Sequence, residues 1–406
     1  MTAHQIVRIP LEQLRPGMYV GNVFNKRGIL LYSANTRIEN FSQIAALRRQ
    51  GVISISVNLK KGVGEKELLS GESSVQQDVR EIDEHIQIDV FDKETVKKTV
   101  EMRKRALDTV YNFMTAARTG RLFSIGSISS TVETIIDSML EEPDLLLNLC
   151  QMKTHSSATY IHSVNVAVLI VGFSSALGYS RSRIREAGIG ALMHDIGKVR
   201  LPVELLLRQG ACTRQEYELI KRHPDIGVSI IKKNGSTVSP SVLKIVAQHH
   251  EQLNGGGYPR GINGTAIDEI ALVCAIADRY DTLTTQGMYH RLYLPQEALA
   301  LIFQGADVEY PRLLVEHFAK LLGIYPVGSF VKLESGEMGV IIKNNRDHLL
   351  TPIVKILFDE NGVRLTTPYI RDLSKTTSNI DSGSRVSGSV DPRTFNVDGD
   401  QYYFQL

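Results

Sequence analysis

The sequence predicts a mainly α protein: a helical bundle flanked by a small N-terminal α+β domain and a small C-terminal β unit. Three observations carry this. Between about residues 85 and 322 apolar residues recur at steps of three, four or seven, the period of helices with one buried face. Through the same span helix-start signals recur and no convincing strand pattern appears. Runs of strand type fall before residue 60 and after residue 326.

Taken in order, residues 1–60 read as a small mixed domain. Val7–Ile9 and Met18–Phe24 are β-like and separated by a turn at Arg15-Pro16-Gly17. Phe41–Gln50 is helix-like with Gly51 as its stop, and Val52–Val57 alternates apolar residues with Ser, as a half-buried strand does. Residues 61–84 are polar, with Gly and Ser and few large apolar groups, and read as a linker.

The helical region spans 85–325. Val96, Val100, Leu107, Val110, Met114 and Ala117 line one face of a long helix over about 93–118. Ser130 with Glu133 predicts a capping box before Ile135, and Thr213 with Glu216 predicts another before Tyr217. Ser239-Pro240 reads as an N-cap followed by proline at the first helical position. Ile270–Leu283 reads as a further helix. Beyond Tyr325-Pro326-Val327-Gly328 the pattern changes. Phe330–Leu333, Gly339–Ile342 and Pro352–Phe358 are expected strands of a β unit covering 326–406, with a mobile Ser-, Asp- and Gly-rich tail over 374–396.

Composition narrows the function classes. The chain has 406 residues, enough for two or three domains, and is 43% hydrophobic and 22% charged, which supports a sizeable core. Lys plus Arg number 46 against 44 Asp plus Glu, a near-balance that gives no support for a nucleic-acid polymer as partner. The three Cys are far apart and form no CxxC, which excludes a disulfide scaffold or a Cys-based zinc finger and favours a reducing compartment, the cytoplasm. The N-terminus shows no secretory signal. The most apolar run, Val164–Gly178, is shorter than about 18 residues and carries Asn165, Ser174 and Ser175, so a buried core helix is expected and no membrane span.

The chemistry concentrates in histidines. Of eleven His, six fall between 155 and 250. His162, His194, His223, His249 and His250 stand in helical context, with Asp195 directly after His194 and Asp278 on a later helix. Imidazole and carboxylate are ligands for Fe, Mn, Ni or Zn, and helical bundles build such sites from facing helices. Asp195 has two oxygens with which to bridge two ions, and a metal pair stabilises charge on a phosphoryl group. Lys198, one turn after Asp195, offers a point charge to a phosphate. Gly255-Gly256-Gly257 permits positive φ and close backbone approach, and Tyr258-Pro259 follows it. Each lone histidine is more often a satisfied core or surface residue than a ligand; the set taken together is what points to metal.

His194-Asp195, Gly197-Lys198, His223-Pro224, His249-His250-Glu251 and Gly257-Tyr258-Pro259, in this order and spacing over roughly 155–285, resemble the HD-GYP subgroup of the HD phosphohydrolases. His162-Ser163-Val164 stands where that family has its first His. The N-terminal 60 residues resemble the small DUF3391 domain that often precedes it. The resemblance implies an all-helical catalytic domain with its core over 155–290 and two divalent transition-metal ions. His162, His194, Asp195 and Asp278 would hold one ion; His223, His249 and His250 would hold the other, with Asp195 bridging. Lys198 would lie beside the scissile phosphate, and Gly257 and Tyr258 would shape the substrate loop.

Two positions depart from the family pattern. Ala158 stands where members with a third metal carry Glu, so two ions are expected. Gly287, Met288, Tyr289 and His290 stand where the family usually carries an Arg-Pro-Tyr-Arg or Arg-Pro-Tyr-Lys stretch. Arg279 and Arg291 lie near but do not match by position. The implied activity is hydrolysis of cyclic di-GMP to pGpG or GMP in bacterial signalling. A preference for 3′,3′-cyclic GMP-AMP or pGpG, or a non-catalytic signalling module, is the alternative. The 93–118 helix has two open readings, regulation or homodimerisation on one side and plain packing on the bundle on the other.

Overall fold

The computed structural model describes residues 6–11, 18–25, 30–38 and 52–58 with isolated positions between them. It then describes 93–151, 159–202, 205, 212–235, 237–285, 292–345, 348, 350–375 and 385–395. The 61–84 linker, Ala158 and the stretch 286–291 lie outside the described residues, as does most of the expected helix at 41–50, of which Ile44 and Leu47 are helical.

Four antiparallel strands form the N-terminal sheet: β1 (Ile6–Pro10), β2 (Tyr19–Asn25), β3 (Leu30–Arg37) and β4 (Val52–Asn58), in the order β1-β4-β2-β3. Val20, Val23, Ile55 and Val57 are fully buried and pack with Leu11, Leu14 and Met18. Strand β3 was not legible, because LLYSANTR lacks clean alternation; pairing with β2 decides it.

The bundle comprises α1 (Lys93–Thr119), α2 (Ile125–Glu141), α3 (Pro143–Gln151), α4 (Thr159–Ala176), α5 (Arg181–Met193) and α6 (Arg214–Ile220). It continues with α7 (His223–Lys233), α8 (Pro240–Gln248), α9 (Glu269–Thr284), α10 (Pro295–Gln304) and α11 (Arg312–Leu322). The expected capping box at Ser130 does not form. Helix α2 starts earlier, capped by Ser124, whose side chain accepts from the Ser127 N–H, so Ser130 and Glu133 are interior residues. The other two start signals hold. Thr213 and Glu216 cap α6 reciprocally, and Ser239 caps α8 ahead of Pro240.

Helix α4 is the axis of the bundle. It is long and apolar enough by composition to cross a membrane, but 14 of its residues, Val164 to Val171 among them, are buried inside the protein. Helices α1, α5 and α9 pack around it. Apolar burial at roughly 25 cal/mol per Å² makes this wrapped helix a large contributor to the stability of the bundle. It carries His162 on its first turn and Asn165 three residues on, so the same helix that organises the core fixes one side of the site.

The C-terminal sheet is antiparallel, in the order β8-β7-β6-β5-β9. Its strands are β5 (Phe330–Leu333), β6 (Met338–Lys343), β7 (Ile353–Phe358), β8 (Arg364–Asp372) and β9 (Val386–Ser389). The first three match expectation. The last two correct it: β8 is an exposed edge strand without an apolar face, and β9 lies inside the stretch expected to be mobile. Pairing with β5, and not composition, orders β9. The sheet seats on the bundle through Lys343, which pairs with Glu142 at 3.0 Å, and through Asn344, which donates to the Leu322 carbonyl at 2.7 Å.

Candidate metal centre and substrate site

Five of the histidines sit at helix ends, where the last carbonyls or first N–H groups lack intrahelical partners. His194 caps the end of α5, and its Nδ1 lies 2.6 Å from the Ala191 carbonyl oxygen. His223 opens α7 and reaches the Ile220 carbonyl, at the end of α6, at 2.8 Å. His249 caps α8 and lies 3.1 Å from the carbonyls of both Ile245 and Val246. With Nδ1–H donated backwards, each ring turns Nε2, its lone-pair nitrogen, into the bundle.

Those nitrogens converge in two groups. Asp195, His223, His249 and His250 bring ligand atoms within 4.8 Å of one another, and so do His162, His194 and Asp278. His223 Nε2 faces His249 Nε2 at 3.1 Å, and His194 Nε2 faces His162 Nε2 at 3.2 Å. Asp195 stands between the groups. Its Oδ1 is 3.3 Å from His223 Nε2, and its Oδ2 is 3.5 Å from His194 Nε2 and 3.8 Å from His162 Nε2. Every one of the seven sequence-nominated ligands is therefore in this cluster.

The electrostatics suit a cation. His194, Asp195 and His223 are fully buried and His249 nearly so. Burial depresses His223 to about 3 and His250 to about 4, and holds His194 and His249 below the usual imidazole range, so these four are neutral at neutral pH. Burial alone would raise Asp195, but Lys198 and the surrounding imidazoles hold it well below the carboxylate range. Its Oδ1 is buried without a hydrogen-bond partner. Paired imidazole lone pairs and an orphaned carboxylate oxygen are costly unless a positive charge lies among them. His162 shows the same demand. Burial opposes its charge, yet contacts to Asp278 and Asp281 push it up to about 10. The residues fit divalent ions.

Lys198 lies on the short 3-10 turn Ile196–Arg200 that follows Asp195, and its Nζ donates to Asp195 Oδ2 at 2.6 Å. The turn fits against α7 because Gly197 has no side chain: a Cβ there would overlap the His223 carbonyl oxygen and the Gly227 nitrogen. Helix α1 also packs on this turn.

The loop after His250 folds back over the site. Tyr258 N–H donates to the His250 carbonyl at 3.0 Å, and the Tyr258-Pro259 bond is cis. Gly255 takes positive φ, at 75°, whereas Gly257 serves close approach, since a Cβ would strike the backbone from His250 to Gln252. The Tyr258 ring lies over His250, centroids 4.5 Å apart and planes 31° apart. Gly257 and Tyr258 thus stand beside the histidines.

Three participants were missed from sequence. Asp281 accepts from His162 Nδ1 at 2.7 Å on Oδ2 and from Asn165 Nδ2 at 3.0 Å on Oδ1. Its spacing from Asp278, and that of Asn165 from His162, is three residues, one helical face, and that was the available signal. Glu251, fully buried, accepts the backbone N–H groups of Arg260 at 2.8 Å and Ile262 at 3.1 Å, which pins the loop.

A helical bundle that turns five histidines, Asp195 and Asp278 inward, in two adjoining groups that could hold metal ions, fits an HD domain. The HD domain family profile matches residues 145–312, and a KOW domain associated with HD domains matches 330–380, a unit for which the sequence offered no diagnostic motif. The chain is 31% identical over 376 residues to the cyclic di-GMP phosphodiesterase PA4108 of Pseudomonas aeruginosa, covering 91% of this chain and 89% of that protein. It is 34% identical over 155 residues to 3′3′-cGAMP-specific phosphodiesterase 1 of Vibrio cholerae, 38% of this chain and 35% of that protein. The Bdellovibrio bacteriovorus HD-GYP-type protein Bd1817 superimposes with a TM-score of 0.46 at 17% identity, covering 78% of this chain and 99% of that one. The chain belongs to the HD-domain family of cyclic dinucleotide phosphodiesterases.

Proposed function

We propose that the protein is a two-metal phosphodiesterase that opens cyclic di-GMP to linear pGpG and carries it on toward GMP. The observation that carries the reading is Asp195, a buried carboxylate whose two oxygens face two separate groups of imidazoles. His162, His194, Asp195 and Asp278 would hold one divalent ion, and His223, His249 and His250 the other, with Asp195 shared. His and carboxylate donors suit Fe, Mn, Ni or Zn. Such a pair, when bound, supplies Lewis-acid charge to a phosphoryl group and acidifies water.

The chain's own groups do the rest. Lys198 brings a cation to the same edge of Asp195 and can transfer its contact to a substrate phosphate, serving charge that grows as the diester is attacked. The wall of Tyr258 and His250 limits water access on one side. Burial raises the Tyr258 phenol, so it stays a neutral hydrogen-bond donor. One water is consumed per diester hydrolysed, leaving a 5′-phosphate and a 3′-hydroxyl.

A preference for 3′,3′-cyclic GMP-AMP or for pGpG is the second reading, favoured by Gly287 and His290, where the family usually supplies cations. A cyclic dinucleotide substrate also points to the bacterial cytoplasm. The test combines metal analysis with turnover on the three nucleotides. Wild type should carry about two ions per chain, and Asp195→Ala should lose both together with turnover. A fully active Asp195→Ala protein, or wild-type turnover that survives exhaustive chelation, would sink the reading.

A further inference from the structure

An aromatic series leads outward from the histidines. Tyr258 lies over His250 and 6.3 Å from His223, and on its other flank stands Tyr217, with ring centroids 6.3 Å apart and planes at 75°. Tyr217 belongs to α6, a helix with no buried residue that is held in place by the Thr213–Glu216 capping box. The residue is 48% exposed although its ring contacts that of Tyr258. Lys221, one turn on, places its Nζ 5.3 Å from the ring centroid while pairing with Glu218 at 2.6 Å. The ring is therefore oriented by neighbours on a half-exposed residue, one aromatic contact beyond Tyr258, which itself lies over His250.

We propose that Tyr217 is a purine-stacking subsite of the substrate site, receiving one base of the cyclic dinucleotide while a phosphate engages the His/Asp cluster. This rests on the function proposed above and adds to it a residue outside the sequence motifs. A purine presents a flat π-face whatever its edge, and bases bound out of a duplex are held by stacking on aromatic side chains. The bases of a cyclic dinucleotide cannot pair or stack as in a duplex, so their faces are free for such contact. The cluster binds only phosphate, so part of the affinity for the nucleoside has to come from groups one ribose away. The subsite accepts guanine and adenine alike, since stacking reads no hydrogen-bonding edge. Lys221 at the ring adds cation–π polarisation.

The chain contains no tryptophan, which makes a direct test available. Tyr217→Trp would carry the sole indole, and a base stacked on it quenches its fluorescence. Saturable quenching by cyclic di-GMP, with a midpoint matching calorimetry and none by inorganic phosphate, is expected. In the metal-loaded enzyme, Tyr217→Ala should weaken cyclic di-GMP binding roughly five- to a hundredfold. It should leave metal content and turnover of bis(p-nitrophenyl) phosphate, a diester without bases, within about twofold of wild type. Tyr217→Phe should bind as wild type does. Unchanged binding in Tyr217→Ala, or an equal loss on the base-free diester, overturns the proposal, the latter by showing that Tyr217 merely props Tyr258. If wild type binds cyclic di-GMP without hydrolysing it, the proposed activity fails while the binding comparison still decides the subsite. If it binds no cyclic dinucleotide, both fall.

Discussion

His162 Nδ1 lies 2.7 Å from Asp281 Oδ2, and Asn165 holds the other oxygen of the same carboxylate at 3.0 Å. This contact fixes which nitrogen of His162 is directed at the cluster. An acceptor at Nδ1 keeps a proton there and leaves Nε2 to a metal, and it raises the basicity of the ring. Under the proposed function Asp281 is thereby a positioning residue for His162.

Asp281→Asn should lower metal affinity about 10- to 100-fold. The amide can turn its NH₂ toward Nδ1 and so favour the tautomer that carries its proton on Nε2, where it blocks ligation. Calorimetric titration of the metal-depleted protein checks this, with Asn165→Ala expected to give a smaller loss in the same direction. Wild-type affinity in Asp281→Asn would make the contact structural only.

Lys198→Ala should keep both ions and lower kcat on the order of a hundredfold or more, the size of losing one preorganised charge at a reacting centre. The observation is its 2.6 Å contact with Asp195 from a turn outside the ligand set. Metal content and kcat measured on the same preparation decide it. Loss of metal along with rate would show that Lys198 holds Asp195 in place instead of serving substrate.

Gly197→Ala should destabilise the fold by about 1–3 kcal/mol and loosen metal binding, because the added Cβ overlaps backbone at His223 and Gly227 and backbone yields poorly. Thermal melts with and without metal read both effects. Gly235→Ala offers a contrast: its φ of +71 strains any side chain, but no atom lies within 4 Å of the added Cβ, and it stands apart from the ligands. An unchanged melt and metal affinity in Gly197→Ala would contradict the packing argument.

The sequence by itself determined the class of the fold and the membership of the cluster. Helical periodicity in Val96 to Ala117 is a local property, written every three or four residues, and the structure has that helix as α1. The caps at Thr213 and Ser239 are local too and formed, whereas Ser130 failed because its helix had already begun at a stronger boundary, Ser124. The histidines and aspartates were legible because their types and order are chemical. Tertiary structure alone decided the rest. The partner of His162 lies 119 residues away, and no local pattern encodes which carboxylate on α9 faces the ligand nitrogen and which faces its back. Strands β8 and β9 exist through pairing, since neither carries an apolar face of its own. Tyr217 carries no signal in the sequence at all. Only the chain's return at Tyr258 brings it beside the cluster, because contact between side chains depends on how helices pack and not on the spacing of residues along them.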